Sequence, residues 1–190
     1  MTIPPGLPQD SALTQVHAGG EGDWVRYSKT KIYTNCFIKQ DGKLLLGYKK
    51  RGFGKDMYNG FGGKVEPGES VSEAAHRELK EEAGIEAPLR KCGTLLFVVD
   101  GVEEAFHIEV FVADEYTGTI TESDEMRPEW FSTNPNGEGD LKPIPYDKMW
   151  ADDIYWLYIL LANGNFAGRA DFLAEENTMV KYWFGKEETP

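Results

Sequence analysis

The sequence has few cysteines and histidines and no long apolar run. Only two of its 190 residues are cysteines, and three are histidines. Neither Cys36 nor Cys92 has the spacing of a zinc site, and each lies in an apolar, strand-like context, so we expect two buried free thiols. No run is long or apolar enough to span a membrane. The N-terminus lacks the features of a signal or transit peptide, so a cytoplasmic protein is expected, with nuclear or mitochondrial pools left open.

Basic residues are also scarce. The chain has 20 Lys and Arg against 32 Asp and Glu, which gives a formal net charge of −12. Nucleic-acid backbones are normally met by basic patches, so DNA and RNA are not expected partners. If the protein binds a phosphorylated small molecule, metal ions would be needed to neutralise the repulsion between the phosphates and so acidic a chain. Hydrophobic residues make up 41% and aromatic residues 13% of the chain, which predicts a packed globular protein.

The order of strand-like and helix-like segments predicts an α/β protein. Residues 1–27 are rich in Pro, Gly and small polar types and are expected to form a flexible tail, while 185–190 are expected to fray. One folded domain is predicted over residues 28–184. Its sheet is expected to be mixed and covered by helices on both faces. The predicted strands are 31–38, 44–48, 89–99, 105–113, 129–131, 166–173 and 178–184, and the predicted helices are 70–84 and most of 146–162.

The first predicted helix carries most of the chemical information. Ser70 with Glu73 three residues later forms a capping box pattern, and Gly84 is a typical helix stop. Glu78, Glu81 and Glu82 would share one face of this helix.

Two of these glutamates need a counter-charge. Glu78 and Glu82 stand at i and i+4, and a like-charged pair at this spacing costs a helix about 0.2–0.5 kcal/mol. A bound divalent cation would reverse the sign, because Mg²⁺ and Mn²⁺ take oxygen ligands. The alternative is an acidic helix face in contact with water.

The wider spacing favours the metal interpretation. From Gly63 the chain has five residues, Glu69, seven residues, Arg77-Glu78-Leu79, one residue, Glu81-Glu82, one residue and Gly84-Ile85. This resembles the signature of the Nudix hydrolases, which cleave nucleoside diphosphates linked to another group. The resemblance implies an α/β/α sandwich with a mixed sheet and a site for Mg²⁺, with Mn²⁺ as an alternative. The implied metal ligands are Glu78, Glu81, Glu82 and the backbone at Gly62 or Gly63.

Four further stretches narrow the substrate. Residues 49–54, 58–65, 122–128 and 149–156 resemble the branch of the family that acts on oxidised purine nucleoside triphosphates. That branch converts 8-oxo-dGTP and 2-hydroxy-dATP to nucleoside monophosphate and pyrophosphate. The chain departs from it at Asn35, Val99 and Phe106, where the branch has leucine, phenylalanine and methionine, so the preference among oxidised purines is left open. A pyrophosphohydrolase of another nucleotide and a catalytically silent nucleotide-binding module are the alternatives.

The same resemblance implies a pocket for the base. Trp150 offers a flat apolar face for a purine, and the Asn59 amide can read a base edge. Two adjacent carboxyl groups, Asp152 and Asp153, are expected to share a proton and so to offer both a donor and acceptors. The alternative for these aspartates is an N-cap of the second helix. The remaining lining residues that the resemblance implies are Thr34, Lys49, Phe53, Phe97 and Met126. The basic stretch 49–55 has two interpretations, contact with the substrate or exposure to water alone.

The implied reaction is metal-assisted attack of water on the α-phosphorus. Glu82 is the first candidate for metal ligand or general base, and Glu125 is the second candidate base. Arg77 is expected to orient Glu69 and Glu81 rather than to contact substrate. The expected partner is a small-molecule nucleotide, and we expect a monomer.

Overall fold

The computed structural model describes residues 2–9, 12–174 and 178–188. Its strands and helices follow the predicted order, with additional short strands. They are β1 Leu13–Gly19, β2 Lys29–Gln40, β3 Lys43–Lys49, β4 Tyr58–Asn59, α1 Val71–Ala83, β5 Ile85–Glu86, β6 Arg90–Val99, β7 Glu104–Ala113, β8 Thr117–Gly118, β9 Met126–Ser132, a short 3-10 helix Tyr146–Lys148, α2 Asp153–Leu161, β10 Phe166–Phe172 and β11 Met179–Glu187.

The chain divides into two compact units. The first comprises Met1–Tyr33, Cys92–Glu109 and Ala151–Pro190, and the second comprises Thr34–Lys91 and Val110–Trp150. The predicted single folded domain over residues 28–184 stays a prediction, whereas the expectation of a frayed end is wrong for residues 185–187, which belong to β11. Within the residues that are described, neither helix is long and apolar enough to cross a membrane.

Strands of both directions form the sheet of the first unit. β10 pairs in parallel with β6 and antiparallel with β11, and β11 pairs antiparallel with β1. The sheet is therefore mixed, as predicted. The α2 residue Trp156 is buried and stacks on Phe166 of β10 with ring centroids 5.0 Å apart, so it belongs to the core.

The N-terminal segment is structured, and the expectation of a flexible tail is wrong for it. β1 extends the sheet beside β11, and Leu7 is buried against Leu96 and Trp183. The side chain of Arg169 donates to the carbonyl oxygen of Pro5 at 2.8 Å. Composition alone does not show that the distant strand β11 pairs with this segment.

A buried ion pair holds a second part of the same segment. Arg169 and Asp171 are 1% and 0% exposed, and the guanidinium lies 2.9 Å from the carboxylate. Arg169 also donates to the Val25 carbonyl at 2.6 Å, while the Val25 N–H donates to Asp171 at 2.7 Å. Trp24 lies over the guanidinium at 4.7 Å. The N-terminal segment therefore completes the hydrogen bonding of two buried charges.

The second unit is built on a β-hairpin and α1. β2 and β3 join through Asp41 and Gly42, whose positive φ angles of 51° and 73° suit a tight hairpin turn. β3 also pairs with β4 and β9. The buried face of α1, with Leu79 and Ala83, packs with Ile38 and Phe61 in one apolar cluster.

The second helix is shorter than predicted. Residues 146–162 contain the 3-10 helix and α2, separated by residues 149–152, and the backbone of Met149 is extended. Met149 lies outside α2, whereas the other four apolar positions that indicated the helix lie within it, namely Tyr155, Trp156, Ile159 and Leu160. Cys36 and Cys92 are buried and form no disulfide in the described part of the chain, which confirms the expectation of two buried thiols.

Candidate active site

Local sequence fixes α1 and thereby the position of its glutamates. Ser70 accepts a hydrogen bond from the Glu73 N–H, and Glu73 accepts one from the Ser70 N–H, so the capping box is complete. Gly84 ends the helix in the left-handed conformation with φ of 75°. Both features were predicted.

Arg77 organises one side of the carboxylate cluster. Its guanidinium donates to Glu69 at 2.7 and 3.0 Å, to Glu78 at 2.8 Å and to Glu81 at 3.2 Å. The hydrogen bonds from Arg77 lower the pKa of Glu69 to about 2. The predicted orienting contacts of Arg77 with Glu69 and Glu81 are present, and the contact with Glu78 is additional.

Glu82 is the buried carboxylate of the cluster. It is 4% exposed and accepts a hydrogen bond from the Gly62 N–H at 2.8 Å. Lys49 lies 3.4 Å from its carboxylate and also pairs with Glu125. Burial raises the pKa of Glu82 to about 7, helped by the charges of Glu78 and Glu125 and opposed by Lys49 and the Gly62 N–H.

The backbone at Gly62 and Gly63 passes close to these groups. A side chain at Gly63 would collide with the Glu78 carboxylate, and one at Gly62 would collide with the Thr34 carbonyl. The Thr34 N–H donates to the Gly63 carbonyl at 2.9 Å, which fixes this loop against β2. The clash at Gly62 is with backbone, so only glycine fits there, whereas a side chain at Gly63 would displace the Glu78 carboxylate.

The donor set suits a hard divalent cation, because carboxylate and carbonyl oxygens are the ligands that such ions prefer. In the described part of the chain, however, no three Asp, Glu, His or Cys side chains are arranged so that they could hold one ion. Arg77 pairs with Glu78 and Glu81, and Lys49 pairs with Glu82. Side chains of the protein therefore already supply counter-charges to the glutamates of α1. The predicted metal ligands stay a prediction.

Several residues predicted to bind the base lie in the second unit. Trp150 stacks on Phe53 with ring centroids 4.9 Å apart and 23° between the planes, and Phe53 is 83% exposed. Thr34 and Met126 are buried. The Oδ1 atom of Asn59 accepts hydrogen bonds from the Gly60 N–H and from the amide of a neighbouring residue. The aromatic pair is the most accessible apolar surface among them.

The basic stretch at residues 49–51 does not carry free positive charge. Lys50 pairs with Glu122 at 2.6 Å, and Arg51 lies 3.7 Å from Glu125, which also pairs with Lys49. Glu122 and Glu125, which lie in the acidic loop before β9, thus neutralise the side chains of residues 49–51. These ion pairs show that simple exposure to water does not describe residues 49–51, while contact with substrate stays a prediction.

Asp152, Asp153 and Phe97 lie in the first unit. Asp152 is 1% exposed, and its Oδ2 accepts a hydrogen bond from Trp156 Nε1 at 2.8 Å, whereas Oδ1 has no partner among the described residues. Burial raises the pKa of Asp152 to about 6. Asp152 precedes α2 but makes no capping hydrogen bond, so the alternative that its side chain caps the helix is wrong.

The other two residues of this group, Asp153 and Phe97, also pack within the first unit. Asp153 is buried, and Phe97 packs edge-on against Phe172.

Comparison with known proteins defines the class. Residues 30–151 match the model of the NUDIX domain, and the chain belongs to this family. It is 44% identical over 144 residues to an oxidized purine nucleoside triphosphate hydrolase of Danio rerio, covering 75% of this chain and 87% of that protein. It is 41% identical over 156 residues to the Mus musculus protein of the same name, covering 82% of this chain and 94% of that protein.

A solved structure agrees on the fold. A MutT protein from Bacillus halodurans superimposes with a TM-score of 0.68 at 24% identity, covering 81% of this chain and 97% of that chain. The predicted Nudix resemblance and the α/β class are thereby confirmed. Members of this family generally use divalent metal ions.

Proposed function

We propose that this protein hydrolyses oxidised purine nucleoside triphosphates, such as 8-oxo-dGTP and 2-hydroxy-dATP, to nucleoside monophosphate and pyrophosphate. This reaction would keep damaged nucleotides out of nucleic acid. The observation that carries the proposal is the similarity to two hydrolases of this class over 75% and 82% of the chain. The buried Glu82 beside Gly62 supports it, because the family's chemistry needs carboxylates close to a glycine loop.

The proposed metal is Mg²⁺, with Mn²⁺ as an alternative. Glu78, Glu81, Glu82 and the backbone of Gly62 or Gly63 would hold it. When bound, such an ion supplies charge neutralisation for the triphosphate and lowers the pKa of a coordinated water. Binding would require the Glu82 carboxylate to exchange its contact with Lys49 for a contact with the ion.

The remaining side chains have roles of their own. Arg77 holds Glu69, Glu78 and Glu81 in place from one side. Glu82 acts as ligand or base, because its pKa of about 7 allows it to gain and lose a proton near neutral pH. Glu125 is the second candidate base.

For the base, we assign Trp150 as a stacking surface and Asn59 as a reader of the base edge. Asp152, with its raised pKa of about 6, supplies a donor when protonated and acceptors when ionised. Asp153, Thr34, Lys49, Phe53, Phe97 and Met126 complete the proposed set. We further propose a monomer that acts in the cytoplasm, with the nuclear and mitochondrial nucleotide pools as further compartments.

The test is pyrophosphate release from 8-oxo-dGTP and from dGTP, with and without Mg²⁺. We expect Mg²⁺-dependent turnover with higher kcat/KM for 8-oxo-dGTP. Equal kcat/KM for the two nucleotides would indicate a pyrophosphohydrolase of ordinary nucleotides, and binding without turnover would indicate a silent module. Glu82→Gln should reduce kcat by at least about a hundredfold while the folded state persists, since removal of one charge-stabilising group commonly costs this much.

A further inference from the structure

A chain of hydrogen bonds fixes the orientation of the Asn59 amide. The backbone N–H of Gly60 lies 2.8 Å from one amide atom of Asn59. A backbone N–H can only donate, so this atom must be the carbonyl oxygen Oδ1. The amide nitrogen Nδ2 therefore lies on the opposite side of the group. It donates to no residue in the described ranges 2–9, 12–174 and 178–188.

Asn35 is the second donor to the same oxygen. Its Nδ2 lies 2.9 Å from Asn59 Oδ1, and the residue is 8% exposed. With Gly60 and Asn35 both donating, the two lone pairs of Asn59 Oδ1 are used. The amide of Asn59 could not rotate by half a turn without bringing its NH₂ group against two other donors.

The Asn35 side chain lowers the stability of the folded protein, because only one end of its amide group is hydrogen-bonded. Its own Oδ1 is buried and accepts no hydrogen bond from the described residues. This oxygen lies against Gly60, where any side chain would collide with it. A buried carbonyl without a partner is unfavourable, and an apolar residue of similar size would avoid the penalty. Stability therefore does not account for asparagine at this position.

We propose that Asn35 is a specificity-determining residue that acts through Asn59. It locks the Asn59 amide so that two N–H donors, and no acceptor, face the ligand. The base edge that meets Asn59 is then one that carries acceptors, such as a carbonyl oxygen or an unprotonated ring nitrogen. This inference rests on the proposed function for the identity of the base, and the orientation of Asn59 does not depend on it.

A double-mutant cycle tests the proposal. The variants are Asn35→Leu, Asn59→Leu and the two combined, with Asn134→Leu, in an exposed loop, as the matched control. Each is assayed for kcat and KM with 8-oxo-dGTP and with dGTP. We expect Asn35→Leu to raise KM for 8-oxo-dGTP about threefold to tenfold, the worth of one hydrogen bond, with kcat little changed. In the Asn59→Leu background the same change should have no further effect.

A second readout is independent of turnover. The ¹⁵N side-chain amide signal of Asn59 should be sharp in the parent protein and in Asn134→Leu, and broadened by rotation in Asn35→Leu. Equal effects of Asn35→Leu with and without Asn59, or an unchanged Asn59 signal, would overturn the proposal. Absence of 8-oxo-dGTP turnover in the parent protein would refute the proposed function alone, because the amide signal still decides the role of Asn35.

Discussion

At the scale of single residues, burial sets the protonation of two carboxyl groups. Glu82 and Asp152 are each less than 5% exposed, and burial is the main cause of the raised pKa of both. Their surroundings differ, because Glu82 has the Lys49 ammonium nearby, whereas Asp152 accepts a hydrogen bond from the Trp156 N–H. Asp152 is therefore the clearer case of a buried carboxyl group whose ionised form costs stability.

Asp152→Asn should stabilise the protein at neutral pH. The pKa of Asp152 is about 6 in the folded protein against 3.8 for a free side chain. A raised folded-state pKa means that its contribution is fully present below about pH 4 and is lost as the pH rises through 6. The loss is at most about 3 kcal/mol for two pKa units.

Denaturant unfolding at several pH values from 4 to 8 measures this effect. The parent protein should lose stability across the window relative to Asp152→Asn, which should be the more stable of the two at pH 7. The variant should also lose discrimination between 8-oxo-dGTP and dGTP far more than it loses metal affinity. Parallel stability curves for the two proteins would contradict the raised pKa.

Some residue roles were predictable and others were not. The signature spacing was sufficient to select Glu78, Glu81 and Glu82, because their positions on one helix face follow from the helical repeat. The pairing of Lys49 with Glu82 was not predictable, since the two residues are 33 positions apart and meet only in the folded unit. The link from Asn35 to Asn59 was missed for the same reason.

At the scale of elements, α1 is the best predicted part of the molecule. Its start and end depend on contacts between residues three or four positions apart, which the sequence shows directly. β1 was missed because its alternation is weak and its partner β11 lies at the other end of the chain. The short strands β4, β5 and β8 have only two residues each and no periodicity to detect.

Ser70→Ala should weaken α1. The change removes the side chain that accepts the Glu73 N–H, and loss of an N-cap costs about 1 kcal/mol of folding stability. Ser72→Ala is the matched control, because Ser72 is exposed inside the same helix. Denaturant midpoints of the two variants give the comparison, and an equal effect of both would show that the capping box adds nothing.

Arg169→Met should destabilise the first unit by about 3–5 kcal/mol, because it leaves the buried Asp171 carboxylate without its cation. The N-terminal segment should loosen, since Pro5 and Val25 lose their donors. Limited proteolysis of this segment and denaturant unfolding measure the two effects. Replacing Asp171 by leucine as well should recover part of the stability. A double variant that is no more stable than Arg169→Met would argue against an uncompensated charge as the cause.

At the scale of the whole molecule, the excess of negative charge favours cation binding. With a net charge of −12, each added divalent ion reduces the repulsion within the folded chain. A ligand that binds only the folded state stabilises it by about 2.7 kcal/mol at one hundred times its Kd. Mg²⁺ should therefore raise the Tm of the protein.

Glu82→Gln provides the control for that measurement. The variant should show a much smaller rise in Tm with Mg²⁺, because one proposed ligand has lost its charge. Ca²⁺ or a monovalent salt at matched ionic strength separates specific binding from general screening. An identical Mg²⁺ response in parent and variant would place the ion elsewhere on the surface.

The pairing of β1 with β11 has a consequence for how the protein is made. Leu13 lies opposite Glu187, so during synthesis β1 must wait for its partner until the much later β11 has been made. Such distant pairing slows folding and leaves an unpaired edge open to other chains in the meantime. Assembly of the first unit is therefore completed only after β11 has left the ribosome, and a nascent chain that still lacks β11 would be a natural client for chaperones.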